Sequence, residues 1–162
     1  MHKVRTGAIV AITLVAGTAL AACGTGVAAT PAAPAQPAQQ QIADLFPQWN
    51  AALATGDPQR VADLYAPDAV LLPTVSNQVR RTRAEIVDYF TKFLKNKPQG
   101  VIEDEIVDVL DADTAVNTGV YRFTLTKDGK AQEVRARYTY VYELRDGKWL
   151  IVNHHSSAMP EG

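Results

Sequence analysis

Cysteine is almost missing from this chain: its 162 residues include one, Cys23, so no disulfide can form within it. An excess of either charge is missing too. The 16 Lys and Arg stand against 17 Asp and Glu, a net charge of −1, which removes the basic surface that nucleic-acid binding requires. The one candidate for a long apolar run, "TGAIVAITLVAGTAL", falls short of the ~20 residues that cross a bilayer. Histidine is scarce, and with His2 in the leader only the adjacent pair His154 and His155 remains. Neighbours on a strand project to opposite faces and do not easily share an ion, and zinc wants three or four ligands, so neither a metal nor another cofactor is expected. The acidic residues Glu103, Glu105, Asp108, Asp111 and Asp113 lack the spacing of a calcium loop. "GTG" at 24–26 follows no strand and so is no phosphate loop.

What is present begins with an export signal. "MHKVR" is a basic start, the apolar run follows, and Leu20-Ala21-Ala22-Cys23 supplies small residues before a cysteine, the pattern of a lipobox. Residues 1–22 therefore read as a lipoprotein signal peptide, with Cys23 as the acylated first residue of a protein exported and anchored to a bacterial membrane. Losing Lys3 and Arg5 takes the charge from −1 to −3. Residues 23–41 read as the lipidated cysteine and an Ala/Pro/Gln-rich tether that cannot build a core. Residues 42–162, about 120 in number, are left to form one domain.

Apolar residues at Ile42, Leu45, Phe46, Trp49, Ala52 and Leu53 predict a helix over 42–55, interrupted or started by Pro47. Asp57 as N-cap with Pro58 behind it predicts a second helix, and Thr82 with Glu85 three residues on predicts a third. "DAVLLPT" is a strand candidate between them. After Gly100 the period becomes two, giving four strands, with Asp-Gly in the turns "KDGK" and "RDGK". Helices first and a meander afterwards indicate an α+β fold whose curved, mostly antiparallel sheet wraps three N-terminal helices. Along "EVRARYTYVY", Val134, Ala136, Tyr138, Tyr140 and Tyr142 share the inner face, while Arg135 and Arg137 share the outer one. "RRTR" at 80–83 reads as a basic cluster at a strand end, with weak affinity for lipid headgroups as the other reading.

"RDGKWLIVNHHSSAMP", with "LYAPDAVLLPT", "RTRAEIVDYFTKFL" and "GVYRFT", resembles the bacterial branch of the calcium/calmodulin-dependent protein kinase II association domain family. That family shares the nuclear transport factor 2-like fold with SnoaL-like cyclases and ketosteroid isomerases. The resemblance spans about residues 42–161. It implies a cone with a cavity between sheet and helices, and homo-oligomers, dimeric or larger, formed through the outer sheet face. With no kinase segment in an exported chain, calmodulin is not an expected partner. In the kinase hub, cavity arginines hold a carboxylate. On this chain one of them corresponds to Arg122, while the others fall on Tyr140 and Ser156, leaving Arg135 or Arg137 to compensate.

The expected ligand-binding set is thus Arg122, Tyr140, His154, Ser156 and Arg137, for a small polar or anionic molecule. Strand parity places His154 on the cavity side with Leu150 and Val152. Two other readings stay open. One is a small isomerase, dehydratase or cyclase, with His154 or Asp68 as base and Arg122 or Tyr140 steadying an enolate. The other is an oligomerisation module with an idle cavity.

Overall fold

The computed structural model describes residues 36–160. The expected signal peptide, Cys23 and most of the tether lie outside that range. Four helices come in chain order as α1 (Gln39–Ala43), α2 (Leu45–Ala54), α3 (Pro58–Ala62) and α4 (Arg83–Phe93). Five strands, β1 (Tyr65–Leu72), β2 (Gln99–Val109), β3 (Thr114–Lys127), β4 (Lys130–Arg145) and β5 (Lys148–Ala158), form one sheet in the order β1-β5-β4-β3-β2. Only β1 and β5 pair in parallel; the remaining pairs are antiparallel.

Local chemistry sets the boundaries. The first helix breaks at Asp44, three residues before Pro47, because proline has no N–H to give the carbonyl of Ala43. Within α2, Pro47 occupies the first turn, where an N–H has no helical partner anyway. The Asp57 carboxylate accepts the Gln59 N–H at 2.9 Å with Pro58 opening α3. A reciprocal capping box opens α4: the Glu85 N–H donates to Thr82 Oγ1 at 3.2 Å and the Thr82 N–H to Glu85 Oε2 at 3.1 Å. Both hairpins turn on two residues of positive φ, Asp128–Gly129 (51° and 74°) and Asp146–Gly147 (51° and 76°), whose twist suits the flanking strands.

Two bulges decide which side chains look inward. On β2 the extra residue is Glu103, between the pairs Ile102↔Tyr121 and Asp104↔Val120; the next residue of β3, Gly119, pairs with Glu105, and a Cβ there would lie 1.9 Å from the Asp104 carbonyl oxygen. On β5 the pairing steps from Val141↔Asn153 to Tyr142↔Ile151, leaving Val152 unpaired. Parity therefore changes at Val152. His154 and Ser156 share the inner face with Ile151, correcting the expectation that Leu150 and Val152 accompany them.

On β4 the alternation holds. Ala136, Tyr138, Tyr140 and Tyr142 are buried, while Arg135 and Arg137 are exposed. Against this inner face pack Phe46, Trp49 and Leu53 of α2 and Ile86, Tyr89, Phe90 and Phe93 of α4. Rings of this size bury roughly 150–250 Å² each, which makes the aromatic layer the main stabilising contact between helices and sheet.

Candidate functional site

Between α2, α4 and the inner sheet face lies a cavity of about 30 Å³, walled mainly by aromatic rings from Trp49, Tyr89, Phe90, Phe93, Tyr121 and Phe123. Its volume suits water; pockets for drug-sized ligands begin near ~300 Å³. Pro73, Thr74 and Val75, from the segment joining β1 to Arg80, close one side, and His154 and Ser156 supply polar groups from β5.

Two hydrogen-bonded sets meet here. In one, Tyr121 Oη donates to Ser156 Oγ at 2.5 Å, and the Thr74 hydroxyl also bonds Ser156. In the other, Trp49 Nε1–H donates to Tyr65 Oη at 3.1 Å, and Tyr65 Oη lies 2.8 Å from His154 Nδ1. Indole only donates, so the Tyr65 hydroxyl accepts from Trp49; we assign its own proton to His154 Nδ1, the acceptor within reach among the described residues. Imidazole then carries its proton on Nε2, and that buried Nε2–H has no partner. Tyr140, stacked on the His154 ring with centroids 4.1 Å apart, also has an unpartnered buried hydroxyl, as does Tyr142.

Burial, helped by the charge of neighbouring His155, pushes His154 down to about 3, so the ring is neutral at ordinary pH. Burial also raises the Tyr65 and Tyr140 phenols well above their usual range, so both keep their protons. The site is therefore uncharged. Among the described residues that line the cavity there is neither a carboxylate nor a guanidinium.

The structure thus brings together Tyr140, His154 and Ser156, and His155 faces the other way, exposed. Three expectations are corrected. Arg122 lies on the outer face, where Nε donates to Glu103 at 2.9 Å and Nη1 to Glu133 at 2.5 Å; its odd-even register with inward Tyr121 and Phe123 leaves it no other side. Arg137 is exposed on that face beside Thr139 and His155, and Arg135 there donates to Glu103 at 2.7 Å, so neither compensates within the cavity. Asp68 is exposed and gripped by both Nη atoms of Arg145, at 2.5 and 3.3 Å, which hold its carboxyl below the usual range. It cannot serve as a cavity base.

Sequence reasoning missed Tyr65, Thr74 and Arg80. A tyrosine destined for burial needs a partner for its hydroxyl, which was the available signal for Tyr65. Arg80 reads in sequence as one of the three cations of "RRTR", yet it is 8% exposed, its backbone tied to Leu71 by two 2.9 Å hydrogen bonds.

The family model for the calcium/calmodulin dependent protein kinase II association domain matches residues 38–160. A solved structure from Xanthomonas campestris, described as an association domain of this kind, is 63% identical with a TM-score of 0.77, covering 81% of this chain and 94% of its own. The association domain of the C. elegans kinase is 15% identical, TM-score 0.61, over 74% and 95% of the two chains. A nuclear transport factor 2-like protein from Salmonella enterica is 18% identical, TM-score 0.66, over 76% and 92%. At those identities the last two show the shared fold alone. None of the curated proteins matches the chain.

Proposed function

The chain belongs to the calcium/calmodulin-dependent protein kinase II association domain family, and on that premise we propose that it is an exported, lipid-anchored cone that self-associates and holds a small polar molecule at His154. The observation that carries the ligand half is the buried Nε2–H of His154, left without an acceptor beside an aromatic cavity. An unsatisfied buried donor costs about 1–3 kcal/mol, which an oxygen acceptor on a ligand would recover. A ligand larger than water requires the segment bearing Pro73, Thr74 and Val75 to move outward and the Thr74–Ser156 hydrogen bond to break; Val75 is already 56% exposed.

The fold supports self-association and cavity binding; the geometry gives less support to turnover. Proton abstraction needs a base near neutrality, and His154, pushed down to about 3 with no carboxylate among the described lining residues, is a weak one. For assembly we assign the outer sheet face, where Thr118, Val120, Thr139, His155 and Ser157 surround a shallow hollow of about 440 Å³. A stable dimer needs roughly 800 Å² of such surface per partner.

Native mass spectrometry of the full chain, extracted from bacterial membranes in mild detergent, tests each part. An oligomer carrying a small molecule that His154→Ala loses supports the reading. An oligomer free of ligand removes the cavity half, and a monomer at micromolar concentration removes the assembly half. An N-terminal mass without acyl chains on Cys23 removes the anchor.

A further inference from the structure

Next to the cavity, and sharing Val75, Tyr89 and Phe93 with it, is a vestibule of about 370 Å³ that also holds Ser76, Arg80, Lys92 and Asn96. Arg80 is buried here with its guanidinium 6.0 Å from the Tyr89 ring centroid. Its Nη1 donates to Asp88 Oδ2 at 2.9 Å, but Lys92 Nζ donates to the same oxygen at 3.0 Å. Asp88, 46% exposed, is thus shared between the buried Arg80 and the exposed Lys92, and the Glu85 carboxylate also feels the Arg80 charge.

The unused part of Arg80 has a definite shape. Nε–H and Nη2 share the side edge of the guanidinium, the edge that receives an oxyanion through two parallel bonds. Nε is enclosed and has no partner, and Nη2 has only the Ser76 hydroxyl at 3.4 Å, a long contact. An arginine serving packing alone would have that edge satisfied, as buried polar groups almost always are. No carboxylate lies among the described residues that line the vestibule.

Resting on the cavity-binding reading above, we propose that this vestibule is an anion subsite. Arg80 receives an oxyanion side-on in place of Ser76, with Lys92 adding charge at the rim. The oxyanion is either the head of the molecule whose apolar part enters the aromatic cavity or a free inorganic ion. This places the anion-binding group on the helix side of the cone rather than on β3, where Arg122 is committed to Glu103 and Glu133.

Nitrogen-15 NMR of the full chain in detergent follows the Arg80 Nε–H resonance while phosphate, benzoate or benzyl alcohol is added. The expected result is a saturable shift with phosphate and with benzoate and none with benzyl alcohol. Arg80→Met then weakens benzoate about tenfold or more, the loss of a charge-assisted pair. Lys92→Met, at a side chain 69% exposed and safe for folding, weakens both anions severalfold. Tighter benzoate than phosphate identifies a ligand head; equal binding identifies a free ion, and both support the subsite. Benzoate and benzyl alcohol binding alike with Arg80 silent overturns the subsite and leaves cavity binding standing. Phosphate shifting Arg80 while no organic probe binds keeps the subsite and removes the cavity reading. Silence towards both anions overturns the proposal outright.

Discussion

Acidification from pH 7.5 to 5 should destabilise this protein by about 2 kcal/mol in a way that a single substitution abolishes. His154 is buried, neutral and pushed down to about 3, whereas an unfolded histidine titrates near 6.5. The unfolded chain therefore binds more protons than the native one between those values. Stability is fully present above pH 6.5 and is lost as pH falls towards 3. The loss approaches about 1.4 kcal/mol per pH unit below 6.5, amounting to about 2 kcal/mol at pH 5 and about 5 kcal/mol for the whole shift.

Other groups do not confuse that window. Asp68, Asp88, Glu85 and Glu103 are held below their ordinary values of 3.8 or 4.5 by Arg145, Lys92, the Arg81 N–H and Arg135 respectively, so their protonation destabilises the fold only at lower pH. The assay is the urea midpoint at pH 7.5, 6 and 5, at fixed protomer concentration because assembly adds its own stability. His154→Gln, which offers Tyr65 an acceptor but cannot titrate, should start lower and stay flat. A wild-type midpoint unchanged down to pH 5, or a variant that falls as steeply as wild type, would refute the argument.

Thr82→Ala removes one half of the capping box and should cost about 1 kcal/mol, seen as a lower thermal midpoint with unchanged far-ultraviolet circular dichroism. Gly119→Ala drives a methyl into the Asp104 carbonyl, so β2 must separate from β3; about 1–3 kcal/mol of lost stability, with faster amide exchange confined to these strands, is the expected signature. Arg122→Ala should leave ligand retention intact and alter the oligomer's dissociation constant, because its partners Glu103 and Glu133 lie on the outer face. Loss of ligand in that variant would contradict the assignment of faces.

Much of the fold is legible in the sequence because it depends on short-range chemistry. Thr82 and Glu85, Asp57 and Pro58, and the two Asp-Gly pairs each fix a boundary through neighbours within a few residues. The alternation of β4 is legible for the same reason, since nothing interrupts its pleat between Val134 and Tyr142. The site is less legible. A bulge at Val152 depends on how β5 meets β4, and no local pattern announces it. Arg122 matches a family position yet is claimed by Glu103 and Glu133 from two different strands. Arg80 looks like its neighbours Arg81 and Arg83, and only its pairing with Leu71 turns it inward.

The parallel pairing of β1 with β5 has a consequence for the order of folding. Leu72 lies beside His155, and the hydrogen bond from Tyr65 to His154 joins residues 89 positions apart. β1 leaves the ribosome early, yet it has no sheet to join until the last strand arrives, and closing so long a loop makes this contact slow to form. A chain stopped after β4 would keep three antiparallel strands and lose the histidine, the serine and β1's only strand partner together. The pocket thus forms only once β5 has been made, and its presence reports the arrival of that strand.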